Sequence, residues 1–293
     1  MPQKSSLSQK ISKWFAQTVE PMVFRIRREK RLAMFSQMTA LDQLPSAEIQ
    51  LGLQSTSPLV SRYNRYYRQF LHHTESCPTA LDPAGIAMLL PLNQLGTSVE
   101  VVHIFKKKSA NFWRESEKAR KTGFIVQPFL AANHTVDLLD IRRSKKIRSF
   151  GVVLESFTLK LSDLGGAPTD FHHFESPTED QYWDVYFGVF KPIAGYQQGK
   201  IVIGQRLVAY ARLHRIGNVV RYAELMGHAE FQRQGVMNLL HCRIVKLLID
   251  APESWQKGIH YLSYGALEQG SVGLCFWKRK ALFQPMRLVL NAV

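Results

Sequence analysis

Residues 227–240 read Gly-His-Ala-Glu-Phe-Gln-Arg-Gln-Gly-Val-Met-Asn-Leu-Leu, the most informative stretch of the chain. The pattern indicates the end of a strand, then a polar loop that closes at Gly235, then an apolar helix that begins at Val236. Backbone N–H groups exposed at the start of a helix bind phosphate. The stretch therefore predicts a place where a phosphate or pyrophosphate group binds.

Three residues of this stretch, Gln232, Gly235 and Met237, carry a family signature. They resemble the motif of the GNAT superfamily of acyl-CoA N-acyltransferases, which is Gln or Arg, two residues, Gly, one residue, then Gly or Ala. The first two positions match. At the third, Met237 replaces the small residue that lets the cofactor's phosphates approach the helix. Short motifs recur by chance, so an ordinary strand–loop–helix unit with a glycine at the bend is the competing interpretation.

The segments around this loop predict regular elements in a defined order. Two strand patterns joined by Gly217-Asn218 form a hairpin that leads into the loop. A helix, a strand, a helix and a closing strand follow. This is the order of the C-terminal half of the GNAT fold, and residues 273–280 resemble the last helix of that family. The ranges are 207–216 and 219–226 for the hairpin, 236–249, 259–267, 272–282 and about 286–290.

Upstream residues extend the pattern. Residues 183–190 predict a strand that precedes the hairpin in the sheet, and residues 162–180 predict a loop. A charged helix over 109–122, capped by Ser109, runs into an extended segment at 124–129. Residues 114–126, a basic helix that runs into Gly-Phe-Ile-Val, are similar to the first helix of GNAT domains and of the related peptidoglycan aminoacyltransferases.

Length and composition limit the class of protein. The 293 residues, 45% of them hydrophobic, can bury the core of one large or two modest domains. Three widely spaced cysteines fit a reducing compartment and give neither a disulfide framework nor zinc spacing. The sequence has no long apolar run, no secretory signal, and no hydrolase, dinucleotide or P-loop motif. We expect a cytoplasmic protein without a metal site or a transmembrane segment.

The formal net charge is +15, and part of this excess lies at the N-terminus. In the first 33 residues, eight basic side chains face two acidic ones, while Leu7, Ile11, Trp14 and Phe15 fall on one helical face. A basic amphipathic helix can bind a membrane surface or nucleic acid. It can also dock its apolar face on the protein's own core, which is the interpretation that we favour.

A second basic stretch, residues 61–70, sets Tyr63, Tyr66, Tyr67 and Phe70 at helical spacing with arginines between them. Such mixing suits single-stranded nucleic acid. The four aromatic residues nevertheless form one stripe, as a buried helix face requires, and we predict that they lie in the core. The basic balance also suits a phosphate-bearing ligand, through electrostatic steering.

Acyl transfer to an amine needs a base for the amine, polarisation of the thioester carbonyl and an acid for the leaving thiolate. Glu224 lies in the strand at 219–226, where we place it on the same face as Val220 and Tyr222. The resemblance implies that Glu224 is the base, directly or through water. Because a carboxylate on an apolar sheet is costly unless it is paired, a salt bridge to Arg221, Arg212 or another neighbour is the alternative.

The resemblance also implies where the other groups lie. The backbone N–H of Leu225 or Met226 would polarise the carbonyl. The family commonly takes its acid from a tyrosine on the last helix, where this chain has Phe276 and Trp277, so that Tyr264 or Ser271 becomes the candidate. His228 is either functional or a cap of the loop. The expected cofactor contacts are Leu225, Met226, His228, Gln232, Arg233, Gln234, Gly235, Val236 and Met237.

The sequence thus predicts a mixed α/β chain with a GNAT-like central mixed sheet flanked by helices. Residues 1–97 would form a basic, mostly helical region, and residues 98–293 the GNAT-like domain. The implied function is transfer of an acyl group from acetyl-CoA or another acyl-CoA to an amine on a small molecule or peptide. The alternatives are an aminoacyl-tRNA-dependent transferase of related fold, with tRNA as a partner, and a catalytically silent module that binds a partner or nucleic acid.

Overall fold

The chain is described by a computed structural model, which covers residues 43–50, 66, 67, 70, 72, 73, 86–145, 147, 148, 151, 152, 155–267 and 272–291. The helices are α1 Ser98–Lys108, α2 Ala110–Lys121, α3 Thr135–Arg143, α4 Glu155–Thr158, α5 Val236–Asp250 and α6 Val272–Lys280. The strands are β1 Ser46–Gln50, β2 His72–His73, β3 Ala87–Pro91, β4 Ile125–Phe129, β5 Ile147–Arg148, β6 Gly151–Val152, β7 Tyr182–Pro192, β8 Gln197–Gln198, β9 Ile201–Val202, β10 Gln205–Ile216, β11 Val219–Gly227, β12 Tyr261–Ala266 and β13 Gln284–Asn291.

One large mixed sheet organises these elements, in the order β1, β13, β3, β12, β11, β10, β7, β4. The central strands β7, β10 and β11 pair antiparallel, whereas β11 and β12 pair parallel. Helices cover both faces of this sheet. The predicted mixed α/β architecture, a central mixed sheet flanked by helices, is confirmed.

The strands β11 and β12 pair over a short length only. Their register covers Val219–Tyr261, Val220–Leu262 and Arg221–Ser263, and no later pair joins them within the described residues. The remaining part of β11 continues to Gly227 beside β10 alone. The two strands therefore diverge toward the loop that precedes α5, and they leave one edge of β11 open there.

The strand β3 lies between β12 and β13 and pairs antiparallel with both. All five of its residues are buried, as a strand covered on both faces requires. Since β3 comes from residues before Ser98, the predicted division at 97/98 runs through one sheet. The strands β1 and β2 also come from this N-terminal part, and both pair with β13.

Each sheet face has its own apolar cluster. The larger one contains the buried side of α5, including Val236, Leu240 and Ile244, together with aromatic residues of α1 and α2. On the opposite face, α3 contributes Leu138 and Ile141 to a smaller cluster. A third cluster, near β1 and β13, takes in aromatic residues from the 61–70 stretch.

Most of the predicted elements are found. The strands, the helices and the loop of the segment 183–290 lie where the sequence pattern puts them, within a few residues at each end. Tyr67 and Phe70 are buried, which confirms the core interpretation for these two residues. Ser109 occupies the N-cap position of α2, but its side chain accepts no capping hydrogen bond. The basic arm and Tyr63 lie outside the described residues.

A fully buried histidine, His241, joins α5 to the sheet. Its Nδ1 lies 2.9 Å from the hydroxyl of Tyr222, and its Nε2 lies 2.9 Å from the carbonyl oxygen of Ala281. Because a carbonyl only accepts, Nε2 carries the proton and Nδ1 accepts from Tyr222. Burial lowers the pKa of His241 to about 4, so the neutral ring is part of the folded core.

This histidine predicts a pH-dependent stability. The pKa of His241 is about 4 in the folded chain, against an ordinary value of 6.5, so the unfolded chain binds more protons between these limits. Stability should therefore fall as the pH drops from about 6.5 to 4, by on the order of 3 kcal/mol. Urea unfolding across this range measures the change. His241→Gln should reduce the dependence of the unfolding free energy on pH. An equal dependence in both proteins would show that other groups cause it.

Candidate functional site

The loop between β11 and α5 lies at the open edge of β11. A short 3-10 turn, Gln232–Gln234, leads to Gly235, whose φ of 76° is in the left-handed region. Gly235 is the N-cap of α5 and has no side-chain oxygen to offer the first helical turn. The first N–H groups of a helix have no intrahelical partner. A phosphate oxygen could accept from them there.

The packing of α2 gives Gly235 a second role. A Cβ at this position would lie 2.3 Å from the carbonyl oxygen of Glu115, on the backbone of α2. The glycine is therefore required by the approach of α2 as well as by its positive φ. Replacing Gly235 would disturb the packing of the fold, and such a variant does not isolate an effect on a ligand.

We expect Gly235→Ala to destabilise the chain strongly. Gly123 offers a matched control, because its φ is 91° and a Cβ added there would meet nothing within 4 Å. Both alanine variants suffer the left-handed backbone penalty, but only Gly235→Ala forces a side chain against α2. The loss of unfolding free energy at Gly235 should exceed that at Gly123 by about 2 kcal/mol. Equal losses in denaturant unfolding would contradict the close approach.

Met237 occupies the space beside the end of β11. A Cβ added to Gly227 would lie 2.6 Å from Met237 Sδ. The thioether therefore fills the volume next to the strand end, at the motif position where the GNAT signature has Gly or Ala. One residue later, Asn238 Oδ1 accepts a hydrogen bond of 3.0 Å from Trp277 Nε1. The start of α5 is thus tied to α6.

The polar side chains of the loop divide into held and exposed groups. Gln232 is held, because its Oε1 accepts from Lys145 Nζ and its Nε2 donates to the Gly227 carbonyl at 3.1 Å. Arg233 and Gln234 are exposed. His228 Nδ1 accepts from the Glu230 N–H at 3.3 Å. Through this bond His228 caps the loop, which is one of the two roles predicted for it from the sequence.

Glu224 does not lie on the face that the sequence pattern predicts. Arg212 pairs with Glu224 while the next residue, Leu213, pairs with Tyr222, so Ala223 is an extra residue in β11. Such a β-bulge turns the following side chains to the other face. Glu224 therefore shares a face with Arg212 and Tyr210, and the prediction that it sits beside Val220 and Tyr222 was wrong. Strict alternation cannot anticipate a bulge, because the bulge depends on the neighbouring strand.

The Glu224 carboxylate is enclosed by polar partners. Its Oε2 accepts from Arg142 Nη2 at 2.5 Å and from the Tyr210 hydroxyl at 2.9 Å, and Arg142 Nε donates to the Tyr210 oxygen at 3.0 Å. Its Oε1 has a looser contact, 3.5 Å to Arg212 Nη1. The carboxylate side chain remains 23% exposed. One oxygen is firmly held while the other stays open to a further partner.

Two neighbours of this carboxylate are fixed in one ionisation state. Burial, together with the nearby charge of Glu224, raises the pKa of Tyr210, which therefore stays a hydrogen-bond donor. Hydrogen bonding to Asp184 raises the pKa of Arg212. The Asp184 carboxylate accepts from two nitrogens of this guanidinium, at 2.6 Å from Nη2 and 2.9 Å from Nε. The sequence alternative, a salt bridge from Glu224 to Arg212, is present, and Arg142 adds a shorter one.

The candidate acid Tyr264 lies on β12, at the point where this strand separates from β11. It follows Ser263, the last residue of β12 that pairs with β11. Its ring centroid is 5.5 Å from that of Tyr222 on β11 and 5.9 Å from that of Trp277 on α6. Ser271, the other candidate, lies outside the described residues. Tyr264 therefore bridges the two strands where they separate.

Sequence patterns missed Lys278, which is only 1% exposed. Its ammonium donates to the Ala266 carbonyl at 2.7 Å and lies 5.1 Å from the ring centroid of Tyr264. In sequence it is one of three consecutive basic residues at the end of a helix, a pattern that usually indicates side chains exposed to solvent. The neighbouring Phe276 is 62% exposed. This inversion, with the phenyl ring outside and the charge inside, distinguishes Lys278 from its basic neighbours.

Among the described residues, no group of three or more histidine, cysteine, aspartate or glutamate side chains is arranged to hold a metal ion. Nor does any described helix combine the length and the apolar character that a membrane crossing needs.

Comparisons with known proteins give similarities to solved structures only. No protein-family model matches, and no curated protein matches. The chain is similar to the C-terminal domain (DUF2156) of a protein named as a lysylphosphatidylglycerol synthetase from Agrobacterium fabrum, at 12% identity and a TM-score of 0.38 over 69% of this chain and 58% of that one. It is similar to FemX at 9% identity and a TM-score of 0.44, over 68% of this chain and 58% of that one.

A third similar structure is a tandem GNAT protein from the clavulanic acid biosynthesis pathway, at 9% identity and a TM-score of 0.37, over 83% of this chain and 73% of that one. The chain thus spans 58% of the length of each of the first two. The strand order β1, β13, β3, β12, β11, β10, β7, β4 is a property of this chain itself.

Proposed function

We propose that this chain with a GNAT-like fold is an N-acyltransferase that moves an acyl group from an acyl-CoA to an amine on a small molecule or peptide. One observation carries the proposal: β11 separates from β12 after Arg221, and its open edge leads into a helix start without a side-chain cap. An extended thioester arm could lie along such an edge. Its phosphates would then meet the N–H groups of α5.

The backbone of β11 would supply the polarisation. Leu225 and Met226 lie in the part of the strand that pairs with β10 and not with β12. An N–H group on that open edge would donate to the thioester oxygen as it gains charge, and such a donor acts most strongly where water is excluded. Val236 and Met237, in the first turn of α5, would hold the phosphates.

Glu224 would accept the proton of the amine, directly or through one water. Its Oε1 makes the looser contact, 3.5 Å to Arg212, so this oxygen can take a further hydrogen bond. Arg142 and Tyr210 hold the other oxygen and fix the orientation of the carboxylate. The nitrogen then attacks the thioester carbon, the C–S bond breaks, and the thiolate takes a proton from an acid. Tyr264 is the candidate acid, with the Lys278 ammonium beside its ring.

A second candidate, an aminoacyl-tRNA-dependent transferase, is favoured by two observations. Met237 fills the space beside Gly227 that a pyrophosphate would approach. In addition, α1 and α2 carry a run of exposed cations, which suits a phosphate backbone. These cations include Lys106, Lys107 and Lys108 at the end of α1, and Lys118 and Lys121 on α2. A catalytically silent binding module is the third possibility, in which neither donor supports transfer.

Acetyl-CoA should stabilise the chain against heat. At about 100 times the dissociation constant, the ligand should add about 2.7 kcal/mol to the unfolding free energy. Met237→Ala should enlarge the shift in melting temperature, because it clears the space beside Gly227. Arg243→Ala, an exposed change on a later turn of the same helix, serves as the control.

If neither acetyl-CoA nor a longer acyl-CoA shifts the melting temperature of the wild type and of Met237→Ala, the acyl-CoA proposal is wrong. A gel-shift assay with tRNA then tests the second candidate. Binding that weakens steeply with added salt would support it. A variant in which Lys106, Lys107 and Lys108 are all glutamine should lose that binding.

A further inference from the structure

The last turn of α3 and the residues after it contact both parts of the proposed site. Arg142 holds the Glu224 carboxylate at 2.5 Å. Two residues later, Ser144 Oγ accepts a hydrogen bond of 3.1 Å from the N–H of Ala229, in the loop before α5. Lys145 donates to Gln232 Oε1 in the same loop. The short segment 142–145 thus reaches both the strand carboxylate and the loop.

These contacts are fixed by further bonds. The Ser144 hydroxyl donates to the Ile141 carbonyl at 2.7 Å, which leaves its oxygen to accept from the loop. Gln232, which accepts from Lys145, also donates through its Nε2 to the Gly227 carbonyl at the end of β11. Ile141 itself is buried against the sheet. The turn therefore packs on the sheet through Ile141, and it is hydrogen-bonded to the loop through Ser144 and to Glu224 through Arg142.

One more residue of this turn belongs to the same arrangement. Asp140 Oδ2 lies 2.7 Å from Arg206 Nη2 on β10 and 3.5 Å from His228 Nε2 in the loop. Residues 140–145 thus supply a carboxylate, a guanidinium, a hydroxyl and an ammonium to the site. Three of these four groups contact the loop, and the guanidinium contacts Glu224.

We propose that the last turn of α3, together with Ser144 and Lys145 directly after it, is a positioning element that couples the loop at 228–235 to Glu224, with Arg142, Ser144 and Lys145 as its contact residues. A helical turn is rigid, so a displacement of Ser144 by the loop also displaces Arg142 and the carboxylate that it holds. The significance of this coupling rests on the proposed function: a donor bound at the loop would set the position of the base. The coupling itself needs no ligand and can be measured on the full chain alone.

Amide hydrogen exchange of the ligand-free chain tests the coupling. Ser144→Ala removes the acceptor of the Ala229 N–H, and exchange of that amide should become about five- to tenfold faster. Arg142→Gln breaks the opposite end of the turn, where the guanidinium contacts Glu224 and Tyr210. If the turn couples the two ends, Arg142→Gln should also speed exchange of the Ala229 amide, by about threefold or more.

Arg143→Gln is the matched control. Arg143 lies on the same helix and donates to the Leu159 carbonyl, so its loss changes the charge of α3 at a contact outside the proposed site. Amides of the buried part of α5, such as that of Leu240, report global opening and should exchange as in the wild type. Should Arg142→Gln not fold, Arg142→Lys, which keeps the charge but loses the paired geometry, takes its place.

The coupling is overturned if Ala229 exchanges no faster in Arg142→Gln than in Arg143→Gln, while Ser144→Ala speeds it. A merely structural role predicts instead that all amides, including Leu240, accelerate together, and this result also overturns the proposal. Failure of the proposed function is a separate result, because it is read from acetyl-CoA binding. Coupled exchange without acetyl-CoA binding would support the coupling and reject the donor.

Discussion

Glu224→Gln should lower the rate of acyl transfer by about 10²–10⁴, the usual contribution of a positioned base. The amide keeps the shape of the side chain and can still accept from Arg142 and Tyr210, but it cannot take a proton from the amine. Because the amide oxygen keeps the contact with Arg142, the loop and the first turn of α5 should keep their positions. Acetyl-CoA binding, measured by the thermal shift, should therefore remain.

The ion pair with Arg142 supplies the competing explanation. If Glu224 served only to pair this guanidinium, the glutamine variant would lose stability, because a partly buried charge would lose its partner. Its activity would then fall only in proportion to the folded fraction. Melting temperature and turnover must be measured on the same preparation. Full turnover in a folded Glu224→Gln chain would remove Glu224 from the mechanism.

Asp184→Asn is the control for this experiment. Asp184 is the other carboxylate on Arg212, with contacts of 2.6 and 2.9 Å, and it lies on β7, which β10 and β11 separate from β12. The change disturbs the same charged network without removing the proposed base. We expect lower stability and a turnover per folded molecule within about threefold of the wild type, since an exposed or half-exposed pair contributes about 1 kcal/mol or less.

Local signals in the sequence predicted much of the fold. The Gly217-Asn218 turn and the alternation around it are sufficient for the hairpin, and apolar spacing from Val236 is sufficient for α5. These elements depend on residues close together in the chain. The loop at 228–235 was found for the same reason, since a polar run between two apolar patterns is a local feature.

Features that depend on distant residues were not predicted. The bulge at Ala223 arises from the register between two strands, and it decides which face carries Glu224. The strand β3 comes early in the chain and yet pairs with β12 and β13 near its end, which no local pattern reports. Gly235 matched a motif, but the backbone of α2 occupies the place that a Cβ would take there. The contacts of the candidate site therefore depend on the packed chain, and the sequence pattern gave only its position in the order of elements.

Lys278→Met should lower the rate of transfer by about 10²–10³, the loss expected when one group that stabilises developing charge is removed. Methionine keeps a similar length and volume but has no charge. A buried ammonium beside Tyr264, 5.1 Å from its ring centroid, can stabilise negative charge on the thiolate or on the phenolate that has given up its proton. Burial strengthens this effect, since the effective dielectric constant falls away from water.

A structural role predicts a different pair of results. Lys278→Met removes the hydrogen bond to the Ala266 carbonyl, so a structural role predicts a loss of stability with an unchanged rate per folded molecule. Lys280→Met is the matched control, because Lys280 lies on the same helix and its Nζ is 5.3 Å from the ring centroid of the exposed Phe276. A loss of rate in Lys278→Met, absent from Lys280→Met and accompanied by a normal acetyl-CoA shift, would assign the lysine to the chemical step. Equal rates in both variants would leave Lys278 as the residue that ties α6 to the end of β12 through the Ala266 carbonyl.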